Sequence, residues 1–204
     1  LNDISGELTP IHTASRTNLL FDSSFDDIKS GGGSATVSYW LGSYNNVVSN
    51  NAIGVDGLQG AATFTYSGGG GSEYVYGYQI PVTAGQSYTL SGYVKLGTAS
   101  NFVVVVNNSL SWNTVTDGDF VATESNGHDN WKRFVIPFTA PTSNKINIHL
   151  GFGSESGVAL QANGTVFIDA FQLEQDSRVS AYIPTSGGTA TVTTTLNDTH
   201  NAWD

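Results

Sequence analysis

The run Val82-Thr83-Ala84-Gly85-Gln86-Ser87-Tyr88-Thr89-Leu90-Ser91-Gly92-Tyr93-Val94-Lys95-Leu96 decides the fold class. Leu90 and Val94 alternate with Ser91, Tyr93 and Lys95, the period of two that puts successive side chains on opposite faces of a strand. Ala84-Gly85 precedes this run, and the glycine accepts positive φ cheaply. On the far side of that turn lies a second strand-like run, Tyr74–Val82. The same grammar extends outward in both directions. Phe134, Ile136 and Phe138 alternate with Arg133 and Val135, and Ile146, Ile148, Leu150 and Phe152 alternate with Asn147 and His149. Phe167, Phe171 and Leu173 supply the apolar side of a last long run. No apolar pattern of period 3.6 persists beyond about two turns.

Eleven strands are predicted: Thr17–Phe21, Ser38–Leu41, Ala61–Tyr66, Tyr74–Val82, Ser87–Leu96, Asn101–Asn107, Phe120–Thr123, Trp131–Thr139, Lys145–Phe152, Thr165–Glu174 and Ser180–Ile183. Between them stand the glycine clusters Gly31–Gly33 and Gly68–Gly71 and the turns at Asp117-Gly118-Asp119 and Asn126-Gly127. Neither cluster carries the Lys-Ser/Thr of a phosphate loop, so both read as loops. Composition agrees. Glycine, serine, threonine and asparagine make up about two-fifths of the chain, with nine tyrosines and ten phenylalanines. That mixture disfavours helix interiors and suits aromatic strands joined by polar turns.

Charge and missing residue types remove whole function classes. Seven Lys and Arg against seventeen Asp and Glu give a net charge of −10, which repels polyanions and argues against nucleic-acid binding. No apolar run reaches the roughly eighteen residues that membrane insertion by a helix needs. The chain has no cysteine, which excludes disulfides, thiol catalysis and Cys-ligated zinc. It has no methionine either, so Leu1 is read as a processed or excised end, and no signal peptide is visible.

The expected architecture is all-β, a β-sandwich with jelly-roll topology over residues 17–185. An extended arm (1–16) precedes it and a Thr-rich tail or linker (186–204) follows. Neither end has enough apolar residues to repay the entropy of ordering itself, so partner chains are expected to hold both.

Several segments taken together resemble a known family. They are Arg16-Thr17-Asn18-Leu19-Leu20-Phe21-Asp22-Ser23-Ser24-Phe25-Asp26, the run Val82–Lys95, Trp131-Lys132-Arg133-Phe134, and Val166-Phe167-Ile168-Asp169-Ala170-Phe171-Gln172-Leu173-Glu174-Gln175 followed by Ser180-Ala181-Tyr182-Ile183-Pro184-Thr185. In this order the set resembles the carbohydrate-binding-module-like jelly rolls of tailed-bacteriophage virion proteins: tail fibres, receptor-binding proteins and capsid decorations. Gln-Leu-Glu followed by Tyr-Ile-Pro-Thr is the most phage-like feature. The resemblance implies a non-catalytic protein of the virion surface, extracellular after release. Its implied partners are other virion proteins in a homo-oligomer, with a trimer favoured, and host-surface polysaccharide. The broader fold resembles the carbohydrate-binding modules of secreted polysaccharide-degrading enzymes, which is the alternative reading.

Candidate sites follow. The histidines His12, His128, His149 and His200 form no His-x-x-x-His pair, and no nucleophile elbow is present, so no catalytic residue is assigned. Tyr74, Tyr76 and Tyr78 at period two form a stripe, and with Tyr93 and Trp40 they are the candidate stacking platform for a glycan. The same stripe also reads as core or inter-subunit packing. The family resemblance further implies a structural calcium ion tying the first strand to the last. Asp22, Asp26 and Asp169 occupy the corresponding places, although Asp26 is shorter than the family's Glu and Ala170 stands where a second Asp is expected. Solvated strand-end aspartates are the plainer reading. Asn107-Asn108-Ser109, Asn163-Gly164-Thr165 and Asn197-Asp198-Thr199 match glycosylation acceptors and read as Asn-rich turns.

Overall fold

A computed structural model describes residues 12–23, 25, 28–30, 40–42, 46–66, 74–99, 102–107, 120–124, 130–151 and 164–196. Every element among them is a strand: β1 His12–Asn18, β2 Ile28–Ser30, β3 Trp40–Gly42, β4 Asn46–Ile53, β5 Gln59–Tyr66, β6 Tyr74–Pro81, β7 Ser87–Leu96, β8 Phe102–Asn107, β9 Phe120–Glu124, β10 Lys132–Thr139, β11 Lys145–Gly151, β12 Gly164–Glu174 and β13 Ala190–Leu196. No described helix is long and apolar enough to cross a membrane.

The pairing is nested. β8 pairs with β9, β7 with β10, β6 with β11 and β5 with β12, all antiparallel. One long four-pair ribbon has therefore rolled up so that alternate pairs fall into opposite sheets, which is a jelly roll. One sheet has the order β10-β7-β12-β5-β4 and the other β2-β3-β6-β11-β8-β9. β1 and β13 form a separate two-stranded ribbon outside them. The expected boundary between arm and jelly roll falls inside β1, and the Thr-rich run of the tail is the strand that pairs with it, Ser15 opposite Thr193 and Thr17 opposite Thr191. Hydroxyl contacts of 3.0 and 2.7 Å join these two pairs.

The core lies between the sheets. Leu90, Val94 and Leu96 of β7, Val166, Ile168, Phe171 and Leu173 of β12, and Phe102, Val104 and Val106 of β8 meet Ile146, Ile148 and Leu150 of β11. Phe25 joins them with φ of 60°, a left-handed conformation that an aromatic residue adopts only against resistance. Burial compensates, since its ring packs edge-on at 5.7 Å to Phe64 and 5.1 Å to Phe171. Phe167, expected in this core, lies instead on the opposite side of β12, because alternation along Val166-Phe167-Ile168 turns it outward.

Bulges in β12 and β6 shape the sheets around the core. In β12 the register with β7 slips between Asp169 and Gln172, with Ala170 at φ 52°. Gly92 lies against this bulge, where an added Cβ would sit 2.6 Å from the Phe171 ring. In β6, Tyr78 and Gln79 have no Cα partner in β11, and the side chain of Asn147 accepts the Gln79 amide hydrogen at 2.8 Å instead.

Of the sequence-predicted features, Ser180–Ile183 is not a strand. Asn107 ends β8 fully buried rather than turning at the surface. The clusters at 31–33 and 68–71, the turns at 117–119 and 126–127, Phe152 and Asp26 lie outside the described residues.

Candidate functional site

The two sheets differ in what they leave open. All of β8 is buried, and β11 is buried from Ile146 to Gly151, so these two strands of the six-stranded sheet are covered on both faces. The outer face of the five-stranded sheet is half-open. Strand register lays its side chains out in rows, because directly opposed residues share a face. Lys95 lies opposite Phe167, with Trp131 at the entrance to β10 beside them. The next row is Arg133, Tyr93 and Asp169, and the next Val135, Ser91 and Gln172.

Cations and rings alternate across this face. The Lys95 ammonium stands 5.3 Å from the Trp131 ring centre and 4.7 Å from that of Phe167. The Arg133 guanidinium lies 5.6 Å from the Tyr93 ring centre. These are cation–π distances, so each pair holds its ring in place as well as its charge. Among the described residues the one ion pair is Arg16 with Asp176, so Lys95 and Arg133 have no carboxylate partner there.

A cleft of about 120 Å³ opens in the same face, between Tyr93 and Arg133 on one side and Ser180 to Tyr182 on the other, with Gln172 in its floor. Its far wall is irregular chain, and the Gln-Leu-Glu motif is what holds that chain down. Gln172 accepts the Ile183 amide hydrogen at 2.6 Å and donates to the Ser180 hydroxyl at 3.0 Å. Glu174 accepts the Ser180 amide hydrogen at 2.9 Å. Beyond it, Ser23 and Thr185 exchange bonds: the Ser23 amide donates to the Thr185 hydroxyl at 2.9 Å and the Thr185 amide to the Ser23 hydroxyl at 2.8 Å. The Ser23 hydroxyl also meets that of Tyr182 at 2.7 Å, which fixes the aromatic wall of the cleft. The motif that looks most phage-like therefore performs a structural task.

Asn18 completes this closure. It is fully buried, donates to the Phe171 and Ile183 carbonyls at 3.1 and 2.8 Å, and accepts the Leu20 and Leu173 amide hydrogens, each at 3.1 Å. All four hydrogen-bonding positions of its amide are used.

The sequence-predicted glycan residues divide between the sheets. Tyr93 is on the five-stranded sheet. Trp40 lies opposite Gly77, Tyr76 opposite His149 and Tyr74 opposite Gly151 on the six-stranded one, and Tyr78 falls in the bulge. Trp131, Arg133, Phe167 and Tyr182 are additions. Their signal was present in alternation for Phe167 and Arg133 but not for Tyr182, which a loop delivers.

Of the calcium candidates, Asp22 is buried. The two oxygens of Asp169 accept the Val55 and Ala170 amide hydrogens at 2.8 and 2.7 Å. Among the described residues no three carboxylates or imidazoles converge on a point where an ion would be held. Asp169 braces the β4–β5 turn.

No protein-family profile matches the sequence. No curated protein matches it either. Solved structures do. A candidate sugar-binding protein from Bacteroides thetaiotaomicron superposes with a TM-score of 0.54 at 11% identity, covering 78% of this chain and 100% of that one. A xylan-binding domain from Paenibacillus barcinonensis gives 0.49 at 16% identity, over 80% and 96% of the two chains. The enzymatically active domain of a tailspike protein from bacteriophage CBA120 gives 0.42 at 12%, over 66% of this chain and 18% of that one. At such identities the likeness establishes the fold alone: a jelly-roll sandwich.

Proposed function

We propose that this chain is a non-catalytic carbohydrate-binding jelly roll whose saccharide lies on the outer face of the five-stranded sheet. The observation that carries the reading is the half-open set of rings in two adjacent rows, Trp131 and Phe167 in one and Tyr93 in the next, with ring positions held by Lys95 and Arg133, beside a small polar cleft. Rigid aromatic rings present contact area at low entropic cost, and a sugar stacks its C–H face on them. The sugar-binding description of the Bacteroides structure supports the class.

Isothermal titration against neutral and acidic oligosaccharides tests it, with Tyr93→Ala as the site variant. Binding that Tyr93→Ala weakens about tenfold or more, with no sugar released on prolonged incubation, is the expected result. If Tyr76→Ala abolishes binding and Tyr93→Ala leaves it intact, the site moves to the six-stranded sheet, around Trp40, Tyr74, Tyr76 and Tyr78.

A second reading, a bacteriophage virion surface module in a homo-oligomer, draws on the β1–β13 ribbon. β13 pairs on one side only among the described residues, and its run Ala190–Leu196 has no charge and no proline to discourage further pairing. Light scattering on the purified chain would show a trimer for that reading and a monomer for a lone binding module.

A further inference from the structure

We propose that the cleft between Arg133, Tyr93 and Tyr182 selects a carboxylate-bearing sugar, and that the Arg133 guanidinium is its specificity determinant. The inference rests on the glycan-binding reading and adds the chemical class of the ligand. Four observations carry it.

First, the chain has only seven basic residues against seventeen acidic ones, yet Arg133 lines the cleft with no carboxylate partner among the described residues. Among the described residues its one hydrogen bond, from Nη2 to the Ser180 carbonyl, is long at 3.4 Å. A guanidinium has five N–H donors, so most remain available for a ligand.

Second, the group is pre-oriented. The Tyr93 ring lies beneath it at 5.6 Å and favours its staying over the cleft. A planar guanidinium fork matches a carboxylate bidentately, which a hydroxyl cannot do.

Third, the nearest acid in the same row, Asp169, does not neutralise it. Both Asp169 oxygens are taken by the Val55 and Ala170 amides, on the far side of β7 from Arg133.

Fourth, size and rigidity fit. At about 30 Å³ for each water displaced, a cleft of about 120 Å³ holds a carboxylate and the adjoining edge of one pyranose ring. Both amide hydrogens of Gln172 go to Ser180 and Ala181 and its oxygen accepts from Ile183, so it has no donor left for a ligand and positions the wall. Tyr182 is pinned through its hydroxyl by Ser23.

The test is titration of the full chain with trigalacturonate, its methyl ester and xylotriose, for the wild type, Arg133→Gln, Arg133→Lys and Tyr93→Ala. The expected result is acid bound about tenfold or more tightly than ester, the range of one or two charge-assisted hydrogen bonds. Arg133→Gln should bring the acid down to the affinity of the ester, and Arg133→Lys should restore it in part. The preference should shrink at high salt, because the pair is exposed. Unchanged melting of the Arg133 variants confirms that folding is intact. Equal affinity for acid and ester in the wild type overturns the proposal. If xylotriose binds equally to wild type and Arg133→Gln but poorly to Tyr93→Ala, the glycan reading stands and the carboxylate inference falls. If none of the three binds, both fall.

Discussion

Replacing Asn18 with alanine should cost more stability than any other single polar substitution in the closure of the fold. Asn18 is fully buried and makes four hydrogen bonds, two given and two accepted, to Phe171, Ile183, Leu20 and Leu173. Their partners are all backbone groups, and none can turn away to find another. At about 1 kcal/mol net for each bond, the loss is about 4 kcal/mol, and water entering the new space returns some of it. For a domain of this size each kcal/mol moves the midpoint by about 3 °C, so Tm should fall by about 10 °C. Calorimetry measures this directly, and urea unfolding should show a lower midpoint at unchanged slope. Asn18→Asp provides the control. It keeps the shape and one acceptor but turns an anion toward two carbonyl oxygens, so at neutral pH it should be at least as damaging. Its deficit relative to wild type at the same pH should narrow as the pH drops through the carboxylate range, where a protonated carboxyl donates again. A shift of less than about 3 °C for Asn18→Ala would refute the reasoning, because the four groups would then have found partners elsewhere.

Gly92→Ala should destabilise by about 1–3 kcal/mol, read as a lower urea midpoint, since its Cβ would sit 2.6 Å from Phe171 and 2.9 Å from Phe134, both ring atoms within a packed cluster. Gly54→Ala should be similarly costly because its Cβ would sit too near the Asp169 carboxylate; Asp169→Ala should lose the Val55 bond, and the double variant should be better than the two costs summed. Gln172→Ala should release residues 180–183, so limited proteolysis should cut there first while far-ultraviolet circular dichroism stays that of the sandwich.

Much of the fold was legible because alternation survives where strands are regular. β7 was bounded to the residue, and β10, β11 and β12 to within one, since apolar residues alternate with others along most of each. β4 was missed for a physical reason. Asn46-Val47-Val48-Ser49-Asn50-Asn51-Ala52-Ile53 has two register irregularities against β5, and its asparagines read as turn residues. β13 was read as a Thr-rich tail or linker because its partner, β1, lies almost the whole chain away. The candidate site was less legible. Alternation says which residues share a face within a strand, but not which sheet the strand joins, so Tyr93 and Tyr76 looked like members of one platform. Tyr182 carried no signal at all, because its position depends on hydrogen bonds from Gln172 and Ser23 rather than on a period.

The nested pairing ties the two ends of the chain to the cleft. β5 to β12 roll into the sandwich, and β1 and β13, from the two ends of the chain, pair outside it. The chain leaving β1 then runs beside β12, where the Leu19 amide donates to the Leu173 carbonyl at 2.8 Å and Asn18 reaches across to Ile183. Ser23, from this N-terminal stretch, is what secures Tyr182, from the C-terminal one. One wall of the cleft thus comes from the jelly roll, through Tyr93 and Arg133, and the other is held both by Gln172 and Glu174 of β12 and by the contacts between the two ends. Loosening the closure should therefore weaken ligand binding without touching a ligand-facing residue: Ser23→Ala removes the hydroxyl that Tyr182 and Thr185 share, and should lower saccharide affinity while leaving the Tyr93 and Arg133 face in place. If Ser23→Ala lowers Tm yet leaves titration unchanged, Tyr182 is a bystander and the cleft is the work of the sheet alone.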